Sequence, residues 1–92
     1  MNPWNARSPK SRMDAFSLNV IHTDAADGWS VAELMWDGRA RIGLRWDGDL
    51  NNPLDLGNPA SHGHGMWFIM PEDMVGKMLA GVERSPAPKP AT

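Results

Sequence analysis

Apolar and polar positions alternate most regularly between Trp29 and Trp46, on either side of the pair Asp37-Gly38. Asp-Gly is a preferred two-residue hairpin turn, because both central residues of a type I′ turn have positive φ. A two-residue loop sets the register by counting, and it places Trp29 opposite Trp46. The pattern therefore predicts a Trp-rich antiparallel β-hairpin over residues 29–46.

This register sorts the hairpin side chains onto two faces, because successive side chains of a strand point to opposite sides. The first face is mainly apolar, and the second carries three arginines beside a tryptophan. The first set is Trp29, Val31, Glu33, Met35, Ala40, Ile42, Leu44 and Trp46, and the second is Ser30, Ala32, Leu34, Trp36, Arg39, Arg41, Gly43 and Arg45.

Three further segments have a regular pattern. Residues 15–23 alternate and predict a half-buried strand with Phe16, Leu18 and Val20 on one face. Residues 66–70 are apolar throughout and predict a short strand covered on both sides. Apolar residues recur at helical spacing from Met74 to Val82, after a proline and two acids that suit a first helical turn. We expect an α+β fold, an antiparallel sheet of three to five strands with one C-terminal helix packed on it.

The 92 residues suffice for one domain. Residues 1–14 lack periodicity and contain prolines and cations, which predicts a flexible N-terminal arm. Residues 85–92 alternate proline with small residues and predict a disordered tail. The folded domain is therefore expected to span residues 15–84.

Composition and charge exclude several kinds of site and partner. The chain contains no cysteine, which excludes disulfides and thiolate metal sites and fits a cytoplasmic location. No apolar run approaches the length of a membrane span. Residues 1–12 carry positive charges without a following apolar core, so we do not expect them to be a secretory signal. The net charge of −2 gives no overall attraction to nucleic acid.

The arginine face of the hairpin nevertheless supports one alternative function. Arg39, Arg41 and Arg45 would bind phosphates while Trp36 stacks on a base, as on single-stranded nucleic-acid surfaces, with the N-terminal arm adding cations. The interpretation we favour over it is a solvated face whose arginines balance loop aspartates, with Trp36 packed under the helix or a dimer mate.

The segment Ser61-His62-Gly63-His64-Gly65 supports a second alternative, a small metal-dependent or acid–base enzyme. Two histidines need a third ligand, for which His22, Asp47 or Asp49 are available, but the spacing matches no established metal site. Ser61 with a histidine and an aspartate also resembles a hydrolase triad, without the usual nucleophile elbow. We assign no catalytic residue, metal or cofactor on these grounds.

Two acidic features complete the candidate chemistry. Asp47-x-Asp49-x-Asn51 begins like a calcium loop, but Asn52 replaces the expected glycine; the alternative is a turn in which side chains cap backbone amides. Glu33 falls among apolar residues of the first face. It would be a catalytic acid or ligand anchor if buried, or it would reach water or an arginine at the sheet end.

The run Trp46-Asp47-Gly48, Asn58-Pro59, Ser61, Trp67-Phe68 and Pro71-Glu72 resembles small bacterial proteins, without an assigned activity, that integron gene cassettes and other mobile elements carry. The resemblance covers residues 29–73. It implies a compact α+β fold and transfers no functional residue.

The function we favour from the sequence is a non-enzymatic binding or interaction module, because tryptophan, methionine and arginine are enriched at interfaces. A ligand pocket would be lined by Glu33, Trp46, His62 and Trp67. We also expect a homodimer, because Leu34 and Trp36, with Trp67 or Phe68, would form an exposed patch in a monomer. The competing expectation is that the N-terminal arm folds back and that Trp4 covers this patch.

Overall fold

The computed structural model describes residues 1–90, and Ala91 and Thr92 lie outside the described residues. Within residues 1–90, six strands and one α-helix follow two 3₁₀ turns at Pro3–Asn5 and Ala15–Ser17. Strands β1, β2, β3 and β6 form an antiparallel sheet in the order β1-β2-β3-β6, and β4 pairs with β5 in a small separate hairpin. The elements are β1 Asn19–Asp24, β2 Trp29–Trp36, β3 Arg39–Trp46, β4 Ala60–Ser61, β5 His64–Gly65, β6 Phe68–Ile69 and α1 Glu72–Ala80.

The central hairpin has the register predicted from the sequence. β2 and β3 pair from Trp29 opposite Trp46 to Trp36 opposite Arg39 without a shift. Asp37 and Gly38 both have positive φ, 51° and 77°, as the type I′ turn requires. The α+β class, with one helix on a small antiparallel sheet, is thereby confirmed.

The first predicted strand begins later than expected. Ala15–Ser17 form a 3₁₀ turn, and its Phe16 is 95 % exposed instead of lying on an apolar face. β1 then pairs with β2, with an irregularity between Val20 and His22. Because the extra residue of a bulge breaks the alternation of faces, Val20 and Ile21 are both buried, each in a different core cluster.

The segment of residues 66–70 also differs from its prediction. Only Phe68 and Ile69 form a strand, β6, and it lies at the edge of the sheet beside β3. Phe68 is 57 % exposed, whereas the neighbouring Trp67 is 3 % exposed on the other face. The absence of a side chain at Gly43 lets Trp67 lie close to β3, since a Cβ there would be 3.0 Å from the Cβ of Trp67.

The helix α1 packs on the first face of the hairpin. Its apolar stripe and Val82 surround a small cluster of Ile21, Val31 and Ile42. No residue of α1 is itself buried, so the helix covers this face only in part. The residues that pack against the cluster are Trp29, Leu44, Val75, Met78, Leu79 and Val82.

The N-terminal residues are packed on the second face of the sheet, which differs from the flexible arm predicted for residues 1–14. Trp4 and Met13 are 8 % and 2 % exposed, and the indole of Trp67 donates a 2.7 Å hydrogen bond to the carbonyl of Ala6. The reason is the apolar area of this face, which needs a cover that the single helix cannot supply. The main cluster is Trp4, Ala6, Met13, Leu18, Val20, Ala32, Leu34 and Trp67.

The described part of the predicted disordered tail, residues 85–90, is also in contact with the fold. The backbone N–H of Thr23 donates to the carbonyl of Ser85 at 2.9 Å, and the indole of Trp4 donates to the carbonyl of Ala87 at 2.7 Å. The packed unit therefore extends beyond residues 15–84 at both ends. Among residues 1–90, no helix has the length and apolar character needed to cross a membrane.

Candidate functional site

An apolar concavity of the surface lies beside α1, on the first face of the sheet. It is an open groove of about 560 Å³. The hairpin forms its floor, the helix one wall, and β6 with the loop before β4 the other. Its lining residues are Trp29, Val31, Leu44, Arg45, Trp46, Asn58, Pro59, Phe68, Met78 and Val82. We call this feature the helix-side groove.

Two aromatic rings at the groove are largely exposed. Trp46 ends β3 and is 54 % exposed, and Phe68 on β6 is 57 % exposed. Because Phe68 pairs with Leu44, both side chains point to the helix face of the sheet. The incomplete cover by α1 thus leaves aromatic surface in contact with water at this site.

Two tryptophans of the groove lining keep an indole N–H that is not hydrogen-bonded to residues 1–90. The indole N–H groups of Trp4 and Trp67 are bonded to backbone carbonyls. Within residues 1–90, neither Trp29 nor Trp46 has a side-chain hydrogen bond.

A buried ion pair supports the wall of the groove. The Nε of Arg45 donates to Oδ1 of Asp47 at 3.0 Å, and both side chains are fully buried. Ser30 donates to the other carboxylate oxygen of Asp47 at 2.6 Å. Arg45 also donates to the carbonyl of Leu56, in the loop between β3 and β4, and to the carbonyl of Met66, shortly before β6.

Burial dominates the electrostatics of this pair. It raises the pKa of Asp47, and the hydroxyl of Ser30 and the charge of Arg45 oppose that effect. Burial also lowers the pKa of Arg45, although a guanidinium stays protonated in proteins. Because Arg45 is neutralised by Asp47, it presents no free charge to the groove that it helps to line.

The loop from residues 47 to 58 uses its polar side chains as backbone caps. Asp55 accepts hydrogen bonds from the backbone N–H groups of Asp49 and Gly57, each at 3.0 Å, and these lower its pKa. Asp49 accepts from Asn51 at 2.9 Å. Of the calcium-like pattern, Asp49 and Asn51 are thus engaged in a local turn and Asp47 in the buried pair with Arg45. Within residues 1–90 no three His, Asp or Glu side chains converge on a metal position.

The predicted arginine face is divided by the fold. Arg39 and Arg41 both approach Glu72 on α1, at 2.7 Å and 3.8 Å, and Arg45 is buried with its own carboxylate. Trp36 lies under the guanidinium of Arg12, 5.0 Å from the ring centre. The structure therefore does not assemble the row of free cations beside Trp36 that nucleic-acid binding requires.

The four predicted pocket residues are not brought together. Trp46 lines the helix-side groove, whereas Trp67 is buried on the opposite face of the sheet. Glu33 lies in a second, more polar concavity of about 520 Å³ and pairs with Arg84 at 2.9 Å. His62 is exposed at the turn between β4 and β5.

The histidine segment forms the β4–β5 hairpin. Its tip, His62-Gly63, has positive φ at both residues, 52° and 77°. The hydroxyl of Ser61 lies 2.8 Å from Nδ1 of His62. His62 and His64 are both exposed, and His22 is engaged elsewhere, 2.7 Å from the carbonyl of Glu83.

Sequence reasoning missed most of the groove lining. The sequence predicts Phe68 on a strand covered on both sides, and it gives no sign that the apolar stripe of the helix, with Met78, also borders a groove. One signal was available: α1 is short and contains Gly76, so it covers less of the sheet than a longer helix would. No protein-family model, curated protein or solved structure matches the chain.

Proposed function

We propose that this protein is a non-enzymatic interaction module whose helix-side groove binds apolar side chains of a partner polypeptide. The observation that carries the proposal is the pair of aromatic rings, Trp46 and Phe68, more than half exposed at an apolar groove of about 560 Å³. Contiguous exposed apolar surface usually marks an interaction site.

The openness of the groove favours a polypeptide over a small molecule. Small-molecule sites bury roughly 70–90 % of the ligand surface, which an open groove with half-exposed rings does not achieve. A polypeptide would cover Trp46 and Phe68 and offer carbonyls to the indoles of Trp29 and Trp46. Tryptophan is also enriched among the residues that contribute most to binding at interfaces.

The lining further restricts the partner. It contains no free charge, because Arg45 is neutralised by Asp47, so we expect uncharged apolar side chains from the partner. Met78 lies on the helix wall and has a flexible side chain that adapts to different shapes. The groove is therefore suited to a short segment with two or three large apolar residues.

Selection of random short peptides displayed on phage, with the full chain as target, tests the proposal. We expect the selected peptides to carry large apolar residues and to bind Phe68→Ser at least tenfold more weakly than the unaltered chain. Phe16→Ser is the matched control, because Phe16 is 95 % exposed and lies outside the groove. Equal affinity for both variants would contradict the proposal.

The homodimer expected from the sequence stays a prediction. Of the residues that suggested it, Leu34 and Trp67 are each 3 % exposed beneath the N-terminal residues, whereas Phe68 is 57 % exposed at the groove. Self-association would therefore have to use the groove side of this set. Light scattering distinguishes this case, since a groove-mediated dimer would dissociate to the 10.1 kDa monomer in Phe68→Ser.

A further inference from the structure

The segment Ser85–Pro90, which we call the proline segment, lies along the outer edge of β1. His22 and Ser85 form a parallel bridge, and the N–H of Thr23 donates to the carbonyl of Ser85 at 2.9 Å. β1 is an edge strand of the main sheet. The proline segment therefore binds in the manner of a peptide added to a sheet edge.

A second set of contacts comes from Trp4 and Thr23. The indole N–H of Trp4 donates to the carbonyl of Ala87 at 2.7 Å. The N–H of Ala87 donates to the hydroxyl of Thr23 at 2.9 Å. Lys89 places its ammonium group 5.4 Å from the centre of the Trp4 ring. Asn2 adds a longer contact of 3.4 Å to the carbonyl of Pro88.

These contacts recognise the main chain of an extended, proline-containing peptide. Carbonyls accept hydrogen bonds, and Ala87, which lies between two prolines, donates its N–H. Pro86, Pro88 and Pro90 are exposed and have no N–H that needs a partner. An indole donor beside an aromatic face is the chemistry by which grooves bind preformed polyproline segments.

We propose that Asn2, Trp4 and Thr23 form a second binding site, specific for proline-rich peptides, which the proline segment fills within its own chain. The ligand is a proline-rich segment of a partner protein, with a small residue between two prolines and a cation two positions after it. The small residue is required because Ala87 is half-buried at this position. The cation is required because Lys89 lies over the ring of Trp4.

The internal segment competes with such a ligand. A tethered segment acts at an effective concentration of the order of millimolar. A free peptide with the same contacts therefore displaces it only at millimolar concentration, and a partner segment with additional contacts does so at lower concentration. The site is thus closed at rest and opens to a partner that binds more tightly than the chain's own segment.

The test uses the full chain with the substitution Ala87→Glu, which places a large charged side chain at the half-buried position and should release the segment. Pro90→Glu is the control, because it introduces the same charge at an exposed position. The readout is the indole N–H resonance of Trp4 in ¹⁵N spectra. The probe is a synthetic peptide with the sequence of residues 84–90.

We expect the Trp4 resonance to move in Ala87→Glu, to stay in Pro90→Glu, and to return towards its original position when the peptide is added to Ala87→Glu. A peptide with glutamate in place of the alanine should bind at least tenfold more weakly. An unmoved Trp4 resonance in Ala87→Glu overturns the proposal, and so does a released segment with no binding of the peptide at millimolar concentration. A dimer of the unaltered chain that Ala87→Glu dissociates would identify the ligand as the segment of a second copy, which also overturns it.

Discussion

The guanidinium of Arg45 and the carboxylate of Asp47 lie 3.0 Å apart at the end of β3, with both side chains fully buried. The two residues are separated by a single position, and this short link is tied to distant parts of the chain. Ser30 on β2 donates to Asp47, and the carbonyls of Leu56 and Met66 accept from Arg45. The pair therefore fixes the long loop that forms one side of the helix-side groove.

Replacement of Asp47 by asparagine should destabilise the fold strongly. The substitution leaves Arg45 buried without a counter-charge, and removal of one partner of a buried pair typically costs about 3–5 kcal/mol. Urea denaturation measures the loss. Asp27→Asn, at an exposed position in the turn between β1 and β2, removes the same charge and should change the free energy of unfolding by less than about 0.5 kcal/mol. Equal losses of unfolding free energy in the two variants would show that the fold does not need Asp47 as the counter-charge of Arg45.

Asp55 should make stability depend on pH. Its pKa is lowered from 3.8 by the N–H groups of Asp49 and Gly57. Because the carboxylate of Asp55 is favoured more in the folded than in the unfolded state, its ionisation stabilises the fold above pH 3.8. This stabilisation is lost as the pH falls through the pKa of the folded state. Asp55→Asn should therefore be less stable than the unaltered chain at pH 7.

The difference between Asp55→Asn and the unaltered chain should shrink as the pH falls below 3.8, the ordinary value for this group. Urea denaturation of both proteins at several pH values measures it. Comparing the two proteins removes the contribution of Asp47, whose raised pKa acts in the opposite direction. A difference that stays constant from pH 7 to pH 3 would contradict this role of Asp55.

Trp4 should be essential to stability. It is 8 % exposed in the main cluster, and replacement of a buried aromatic side chain by alanine costs about 3–5 kcal/mol. The control Phe16→Ala removes a side chain that is 95 % exposed, so its effect should stay within about 0.5 kcal/mol. If Trp4→Ala were as mild as Phe16→Ala in thermal denaturation, residues 1–14 would be the flexible arm that the sequence predicts.

Gly57 should not tolerate a side chain. Its φ is 63°, and a Cβ would collide with the carbonyl oxygen of Trp46 and lie 2.8 Å from Nη2 of Arg45. Gly63 also has positive φ, 77°, but nothing lies within 4 Å of its Cβ position. Gly63→Ala therefore shows the conformational cost alone, about 1–2 kcal/mol. We expect Gly57→Ala to have a clearly lower denaturation midpoint than Gly63→Ala, and identical midpoints would argue against close packing of this loop.

The hairpin could be predicted from the sequence because the residues that determine it, the turn and the two alternating strands, are neighbours in the chain. A two-residue Asp37-Gly38 turn and strict alternation determine both the register and the two faces, and the structure reproduces all of them. The helix α1 was found for the same reason, from its apolar spacing, although it begins at Glu72 and ends at Ala80.

The sequence left two alternatives for the N-terminal residues, a flexible arm or an arm that folds back with Trp4 as a cover, because their position depends on distant partners. Residues 1–14 have no period of their own, and Ala6 is held by the indole of Trp67. The same holds for the proline segment, whose contacts are with Trp4 and Thr23. The groove was missed because it arises from what α1 leaves uncovered, which apolar spacing alone does not reveal.

The indole N–H resonances of the five tryptophans measure the central claim most directly. Trp29 and Trp46 line the helix-side groove, whereas Trp67 lies on the opposite face, Trp36 under Arg12 and Trp4 beside the proline segment. When a peptide selected on the full chain is titrated into ¹⁵N-labelled protein, the account predicts shifts of the Trp29 and Trp46 resonances while the other three stay in place. Shifts confined to Trp4, Trp36 or Trp67 would contradict the assignment of the groove as the binding site.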